Sequence, residues 1–325
     1  MPRDIDLNSD PAAWAADLLA RHGLAAGALE PMAGWSNAIW ASEAHVVRIA
    51  SGRFEGSLSH EAAVLRALAE APCPRVVATG QAGRREWMIQ TRLAGSDLMR
   101  LWPSLDMAGR ERAVRSLAQT MRAAHAAPLA PHLREPPWRA AALRPGGDPS
   151  VALRVHPSHV RRLAEANRAR GTAPETLLTA AVTFIEDRLA CFDDDAEVLT
   201  HGDLAFANVI WDGERAGLVD FESGGAAPRD RELDVLLRFL GGPEAFSPDA
   251  GAAPAAAYAP VIGWLREAYP ELFDHPALAE RLAVYDALWE LTQLMNYPAA
   301  HPRDTAGRLA AILAGRAPWK AMLAI

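Results

Sequence analysis

Beyond about residue 97 the apolar residues recur at helical spacing, and only one strand-rich segment, residues 197–222, interrupts this pattern. Spacing of i, i+3 and i+4 predicts helices at 106–125, 157–170, 175–191, 229–240, 255–268, 276–295 and 304–314. Residues 28–91 instead alternate short extended runs with one helical pattern at 58–70. This arrangement predicts a small α/β portion followed by a larger helical portion that contains a small β element.

The N-terminal portion predicts several short strands behind a first helix. Asp10 as cap, Pro11 in the first turn and Gly23 as terminator bracket that helix at 9–23. Extended runs predict strands at 38–40, 45–49, 75–79 and 86–91. The Pro- and Gly-rich stretches 126–150 and 241–256 predict loops.

The charge balance narrows the classes of partner. The chain has 325 residues, of which 50% are apolar, so it can form the cores of two lobes. Lys and Arg together number 33, yet Lys320 is the single lysine. The formal charge of −7 and the lack of a basic run argue against a nucleic-acid partner and permit a cationic small molecule.

Cysteine content and hydropathy bear on the compartment. Cys73 and Cys191 are the only cysteines and form no CxxC spacing, which argues against a disulfide framework or a cysteine-rich zinc site. No stretch reaches the ~20 apolar residues that span a bilayer, and the N-terminal residues do not read as a signal peptide. We therefore expect a cytoplasmic protein with no membrane segment and no obligate protein partner.

The segment 197–222 predicts a β-hairpin that gathers three polar side chains. Its strand-like runs 209–211 and 218–219 flank a turn signal, Asp212-Gly213-Glu214-Arg215. Pairing about a centre near residue 214 sets Asn208 opposite Asp220, and Asp203 lies in the loop that enters the hairpin. Carboxylate and amide oxygens are the ligands that Mg²⁺ prefers.

Two metal ligands and a second carboxylate held apart from them suit phosphoryl transfer, in which the protein positions groups and neutralises charge. Taken alone, His201-Gly202-Asp203 or Asp220-Phe221-Glu222 is also explained by a turn or hairpin end with solvated acids. Their joint occurrence, with Asn208 at the HxDxxxxN spacing, favours the chemical interpretation.

Residues 201–208 and 220–222 resemble the catalytic segment of the aminoglycoside phosphotransferase and choline kinase group, relatives of the protein kinases, and the resemblance covers most of the chain. It implies an α+β, protein-kinase-like two-lobe fold. A small β-rich N-terminal lobe, residues 1–94, would bind nucleotide, and a larger, mainly helical C-terminal lobe, residues 95–325, would carry catalysis and substrate binding. By the same resemblance Asp203 is the catalytic base, while Asn208 and Asp220 hold Mg²⁺. His201 and His125 are then structural residues.

The N-terminal portion offers an independent test, because a carboxylate lies on an apolar helix face. Glu61 shares its face with Leu58, Leu65 and Leu68, and a buried charge needs a partner. Arg48, flanked by apolar residues in the preceding strand, would provide it. The pair matches the kinase-type pair that reaches nucleotide phosphates, although the family most often has Lys there. A surface arginine on an edge strand is the alternative.

Two further segments are candidates for nucleotide contacts. Gly34-Trp35-Ser36-Asn37 stands where the related kinases place a nucleotide-covering loop, so Ser36 and Asn37 could contact phosphates; an ordinary turn explains it equally well. Residues 88–95 resemble the hinge between lobes, where backbone groups near Thr91 and Leu93 would read the base. Because backbone contacts leave no side-chain signature, the sequence does not distinguish ATP from GTP as the donor.

Acidic side chains in the C-terminal portion are candidates for binding a cationic acceptor. They are Glu222, Asp230, Glu232, Asp234, Asp286 and Glu290, and the last two share a helix face at i and i+4. Solvated helix surface or a structural salt bridge to one of the many arginines is the alternative for each.

The sequence thus predicts a Mg²⁺-dependent phosphotransferase that moves the γ-phosphoryl of ATP or GTP to a hydroxyl of a small molecule, an aminoglycoside or other antibiotic. One rival is a metabolite kinase for an amino alcohol, a sugar or an amino acid. Another is a nucleotide-binding protein without phosphotransfer, which Arg48 and the Gly-poor loop motivate and the intact acidic set opposes.

Overall fold

The computed structural model describes residues 11–32, 34, 37–51, 56–151, 154–193, 196–246, 253–297, 304–317 and 319–323. The chain divides into two compact units, the first formed by Met1–Trp138 with Val198–Ala226 and the second by Arg139–Glu197 with Ala227–Ile325. The predicted lobe boundary after residue 94 stays a prediction. None of the described helices is both long and apolar enough to cross a membrane.

The predicted order of elements is confirmed. The α-helices are α1 (Pro11–Arg21), α2 (Ser57–Ala67), α3 (Leu98–Leu101), α4 (Met107–His125), α5 (Pro137–Leu143), α6 (Pro157–Arg170), α7 (Glu175–Glu186), α8 (Arg231–Gly241), α9 (Val261–Ala268), α10 (Leu278–Asn296), α11 (Thr305–Leu313) and α12 (Trp319–Leu323). The strands are β1 (Glu30–Met32), β2 (Asn37–Ala41), β3 (His45–Ala50), β4 (Val76–Ala82), β5 (Arg85–Thr91), β6 (Ser96–Asp97), β7 (Glu197–Thr200), β8 (Val209–Trp211), β9 (Ala216–Leu218) and β10 (Gly225–Pro228).

Strands β1 to β5 form an antiparallel sheet in the order β1-β2-β3-β5-β4. Trp14, Leu18 and Leu19 of α1 pack against Val47 and Ile49 of β3 and against β5 in one buried cluster. Since successive strand residues point to opposite faces, residue 48 points away from this cluster, toward the face that α2 covers. β3 is thus a central strand rather than an edge.

The hairpin of β8 and β9 pairs in a register one residue away from the predicted one. Val209 pairs with Leu218 and Trp211 with Ala216, so the centre lies between residues 213 and 214. Asn208 consequently lies opposite Val219, whose N–H donates to the Asn208 carbonyl at 3.1 Å, and not opposite Asp220. The turn explains the difference: Asp212 Oδ1 accepts from the N–H of Glu214 and Arg215. This tightens the loop to two central residues.

Strand β6 extends the hairpin into a three-stranded sheet in the order β6-β8-β9. Gly95, just before β6, has φ +100°, and a Cβ there would meet the Trp211 carbonyl oxygen at 2.2 Å. Only glycine combines this backbone conformation with such a close approach. Gly95, within the hinge-like segment 88–95, is therefore the point where the chain crosses onto the hairpin.

The second unit is helical in its described residues. Asn167 of α6 donates from Nδ2 to the Leu291 carbonyl of α10 at 3.0 Å, which joins two buried helices. The predicted loop at 126–150 contains α5, so a loop throughout is wrong for this stretch. The first residues of the predicted helix 255–268 form a 3₁₀ turn, and its α-helix begins at Val261.

Candidate active site

A buried arginine of the first unit forms the centre of the site. Arg48 Nη1 lies 2.5 Å from Glu61 Oε1, and Arg48 Nη2 lies 2.6 Å from Asp220 Oδ1. Glu222 Oε2 is 3.9 Å from the same Nη2. The predicted Arg48–Glu61 pair is present, and its arginine is only 4% exposed, so the alternative of a surface arginine on an edge strand is wrong.

Burial and charge oppose each other in this cluster. Burial raises the pKa of Glu61 to about 8, Arg48 works against that rise, and the neighbouring Asp220 and Glu222 reinforce it. For Arg48, burial lowers the pKa, but the three carboxylates more than offset this and hold it above its usual value. Arg48 is therefore cationic at any pH at which the protein is folded, and it provides the positive charge that three acids share.

The loop that carries the predicted catalytic carboxylate is held by His201. His201 Nε2 lies 2.8 Å from the Val219 carbonyl, and the Asp203 N–H donates to His201 Nδ1 at 3.2 Å. These partners assign a proton to Nε2, so the ring bridges the loop and the hairpin. Gly202 between them has φ +79°, and a Cβ would stand 2.4 Å from the Ser223 carbonyl oxygen.

Asp203 and Asn208 form a joined pair at the entrance to the hairpin. Asn208 Nδ2 donates to the Asp203 carbonyl at 2.9 Å and lies 3.4 Å from Asp203 Oδ2. The Asp203 side chain is exposed, as a group that meets a substrate must be. Because the Asn208 amide nitrogen is turned toward Asp203, its oxygen is turned away and left for another ligand.

Asp220 directly follows Val219, which lies opposite Asn208 at the open end of the hairpin, and has a left-handed conformation with φ 70°. Non-glycine residues rarely adopt this conformation, and such residues concentrate at ligand sites. Its side chain is 35% exposed. Among the described residues no group of three or more His, Cys, Asp or Glu could hold a metal unaided. An acid and an amide oxygen instead fit Mg²⁺, which keeps several waters and shares its shell with phosphates.

Residues 221–224 are held by three contacts that the sequence analysis did not identify. The Phe221 N–H donates to Glu61 Oε1 at 3.2 Å, and His60 Nε2 lies 2.7 Å from the Gly224 carbonyl. Trp138 Nε1 donates to the Glu222 carbonyl at 3.2 Å. The position of His60 next to Glu61 on α2 could have marked it as a candidate. Nothing in the neighbouring sequence, however, indicates that His60 contacts Gly224, 164 residues away.

Asn37, predicted to contact phosphates, binds a carboxylate of the cluster. Its Nδ2 donates to Glu222 Oε2 at 3.3 Å, and the side chain is buried. Ser36, the other predicted loop contact, lies outside the described residues. Asn37 therefore positions Glu222 beside Arg48 in this structure, and a role for Asn37 toward phosphate stays a prediction.

The predicted hinge residues occupy the end of β5. The Thr91 N–H donates to the Arg75 carbonyl at 2.9 Å, and its hydroxyl oxygen accepts from the Arg75 N–H at 2.8 Å. The Thr91 N–H is thus already used by the protein. Leu93 lies over Gly217 of β9, where an added Cβ would meet Leu93 Cδ1 at 2.6 Å. Base recognition by either residue stays a prediction.

Five of the acids predicted to bind an acceptor lie buried in the second unit among arginines. Asp234 pairs with Arg231 and Arg238. Asp286 lies 3.7 Å from Arg238 Nη1 and accepts from Trp319 Nε1 at 2.8 Å. The remaining pairs are Asp230–Arg281 at 3.2 Å and Glu290–Arg308 at 3.5 Å, and Glu232 is 3% exposed. Structural salt bridges, the alternative weighed for these residues, describe four of them in this conformation. A role in acceptor binding stays a prediction.

A sheet whose central strand pairs an arginine with a helix glutamate, followed by a hairpin that carries Asp203, Asn208 and Asp220, defines a protein-kinase-like phosphotransferase. The model of the phosphotransferase enzyme family APH matches residues 28–272. The chain belongs to this family. No curated protein matches it in a comparison of sequences.

Solved structures of family members share the fold. The complex of gentamicin with APH(2″)-IIa aligns over 95% of this chain and 97% of its own, with a TM-score of 0.61 at 16% identity. APH(3″)-Id from Streptomyces rimosus, in complex with ADP and streptomycin, aligns over 86% and 99%, with a TM-score of 0.55 at 18% identity. A choline/ethanolamine kinase family protein from Mesorhizobium loti aligns over 94% and 92%, with a TM-score of 0.59 at 19% identity.

Proposed function

We propose that this protein transfers the γ-phosphoryl group of ATP or GTP, in a Mg²⁺-dependent reaction, to a hydroxyl of a small molecule of the aminoglycoside or other antibiotic class. The observation that carries the proposal is the three-residue set of the hairpin. The exposed residue Asp203 accepts a hydrogen bond from the Asn208 amide nitrogen, and Asp220, a partly exposed acid, directly follows Val219, which lies opposite Asn208. Phosphoryl transfer needs this combination of positioning and charge neutralisation.

Asp203 and Asp220 would act on different parts of the reaction. Asp203 would orient the acceptor hydroxyl and take its proton at a carboxylate oxygen while the hydroxyl oxygen bonds to the γ-phosphorus. The bond from that phosphorus to the nucleoside diphosphate then breaks, and the diphosphate leaves. Asn208 Oδ1 and an Asp220 oxygen would hold Mg²⁺, which would supply positive charge to neutralise the phosphates.

Arg48 would provide the positive charge for the phosphates that a lysine provides in most of the family. Its guanidinium can approach two phosphate oxygens at once, and it stays charged where it is buried. Two of its five N–H donors already contact Glu61 and Asp220. The nucleotide must therefore be accommodated by a cation that is shared with two acids.

The acceptor class rests on analogy with the family and on charge. Two structural neighbours were solved with gentamicin or streptomycin. Glu222 is the predicted acceptor acid that lies in the first unit with the catalytic set, and it is partly exposed. A phosphorylation panel of aminoglycosides and other hydroxylated antibiotics, run with both MgATP and MgGTP, tests the proposal. Phosphate transfer to a member of the panel supports it, and nucleotide binding without transfer to any compound contradicts it.

A metabolite kinase is the second candidate, because a choline/ethanolamine kinase family protein shares the fold over most of both chains. The same assay separates the two when choline, ethanolamine, sugars and amino acids are added to the panel. A value of kcat/KM for an amino alcohol far above that for any antibiotic would assign the enzyme to metabolism. A nucleotide-binding role without transfer predicts no product from either set.

A further inference from the structure

We propose that Arg48 gates the Asp220 carboxylate, so that a divalent cation reaches Asp220 only when an anion, the phosphate chain of a nucleotide, takes over the Arg48 guanidinium. This inference rests on the proposed function for the identity of that anion. It assigns to Arg48 a positioning role in addition to phosphate binding, and it follows from how the guanidinium is divided between two acids.

The two ends of the guanidinium fork differ in how firmly they are held. Nη1 contacts Glu61, whose side chain is completely buried and also accepts from the Phe221 N–H. Nη2 contacts Asp220, whose side chain is 35% exposed. Water screens the Arg48–Asp220 contact and can compete for its polar atoms, whereas the buried Arg48–Glu61 contact is shielded from water. The Asp220 end is therefore the one that a ligand can open without disturbing the buried pair.

The same contact occupies the carboxylate that a metal would need. Asp220 Oδ1 lies 2.6 Å from Arg48 Nη2, the length of a strong charge-assisted hydrogen bond. A divalent cation at this carboxylate would stand close to a guanidinium that cannot lose its proton. Repulsion between the two cations disfavours metal binding to the free protein. Phosphate oxygens remove that obstacle, because they satisfy Nη2 and add negative charge.

Metal and nucleotide must then promote each other's binding. The Arg48–Asp220 contact lowers the affinity of the protein for the metal, because the metal needs Asp220. By thermodynamic linkage the same contact lowers the affinity for metal-free nucleotide, because the nucleotide needs Arg48. Asp220 is thus a competitor of the phosphates for Arg48 when no metal is present. An ordinary metal ligand without this contact would have no such effect, so the two descriptions differ in a measurable way.

The first experiment titrates Mn²⁺ into the full chain without nucleotide and follows free Mn²⁺ by electron paramagnetic resonance. Arg48→Met removes the gate and should lower the Mn²⁺ dissociation constant by about tenfold or more relative to the wild type, equivalent to about 1.4 kcal/mol. Arg66→Met is the matched control, because it removes one positive charge from an exposed position on α2. Arg48→Met combined with Asp220→Asn should abolish the gain.

The second experiment measures binding of metal-free ATP in excess EDTA and covers the case in which Arg48→Met fails to fold. Asp220→Asn should bind metal-free ATP at least tenfold more tightly than the wild type. Glu222→Gln, which removes a carboxylate 3.9 Å from the same nitrogen, should gain much less. Equal gains for the two variants would mean general electrostatics and overturn the proposal.

The proposal would also be overturned if Arg48→Met folds and binds Mn²⁺ no more tightly than the wild type and Arg66→Met. Neither readout involves phosphoryl transfer. A chain that transfers no phosphate but shows tighter Mn²⁺ binding in Arg48→Met therefore supports the gate while contradicting the proposed function.

Discussion

Replacement of Glu61 should reveal how much the first unit depends on the buried pair. Glu61→Ala leaves Arg48 buried with the partly exposed Asp220 and Glu222 as its neighbouring acids, and it removes the acceptor of the Phe221 N–H. Breaking a buried ion pair from one side costs about 3–5 kcal/mol. Leaving the Phe221 N–H without its acceptor costs about 1–3 kcal/mol. This cost and the ion-pair cost are not additive, because both contacts involve the same atom, Glu61 Oε1. We expect a loss of about 3–5 kcal/mol, a large part of the 5–15 kcal/mol typical of a folded chain.

Glu61→Gln separates charge from geometry. The amide keeps an acceptor for the Phe221 N–H and for Arg48, and burial already raises the pKa of this carboxyl to about 8, so the charged form is costly to keep there. The loss should therefore be smaller, at most about 3 kcal/mol, the value of a hydrogen bond to a charged group.

Urea unfolding followed by circular dichroism measures both losses, with Glu70→Ala as control because Glu70 is exposed beyond the end of α2. That control should change stability by less than about 0.5 kcal/mol. Isothermal titration with MgATP adds a second readout, in which the alanine variant should bind more weakly because Arg48 loses its firmer anchor. A Glu61→Ala variant within about 1 kcal/mol of Glu70→Ala would refute this account of the pair.

Three further predictions concern other groups. Asp203→Ala should lower kcat by at least about a hundredfold, the low end of general base catalysis, while nucleotide affinity changes little; equal losses of both would contradict its role as base. Burial raises the pKa of Asp286 to about 6 from 3.8, and Arg238 only partly opposes this. The folded state then holds a proton that the unfolded state has lost, so stability falls as pH rises from about 4 to 6. Wild type should lose up to about 3 kcal/mol relative to Asp286→Asn over that range, and parallel unfolding curves for the two proteins would disprove it. Burial raises the pKa of Cys191 to about 11 and that of Cys73 to about 12, so at pH 8 neither thiol should react with Ellman's reagent at the rate seen in urea. Fast labelling of the native protein would show that a thiol is exposed.

The local elements could be predicted because their signals are local. Helical spacing located α4, α6 and α10 within a few residues, and Leu58 and Leu65 beside Glu61 indicated a buried carboxylate before any partner was known. Such patterns arise because one side of each element must be apolar for the chain to fold. The same reasoning led to Arg48, since a buried acid needs a cation and β3 provides one.

The hairpin register shows where local reasoning stops. The residues of the turn predicted a hairpin, but the number of residues in the turn depends on the hydrogen bonds that Asp212 forms. A difference of one residue moved Asn208 from Asp220 to Val219 as its partner. Asp220 follows Val219 directly and adopts the left-handed conformation.

Residue types and spacing were sufficient for the family and the class of chemistry, since HxDxxxxN and the following acid have few other uses in combination. The roles of the individual residues stay predictions. The contacts among these residues were not predictable from pattern. Arg48 and Asp220 stand 172 positions apart, and Asn37 and Glu222 stand 185 apart. Only folding brings them within hydrogen-bond distance, because packing of the sheet, α2 and the hairpin decides which charges share one low-dielectric space. That packing made a single arginine the counter-charge of three acids, where the sequence alone indicated one pair.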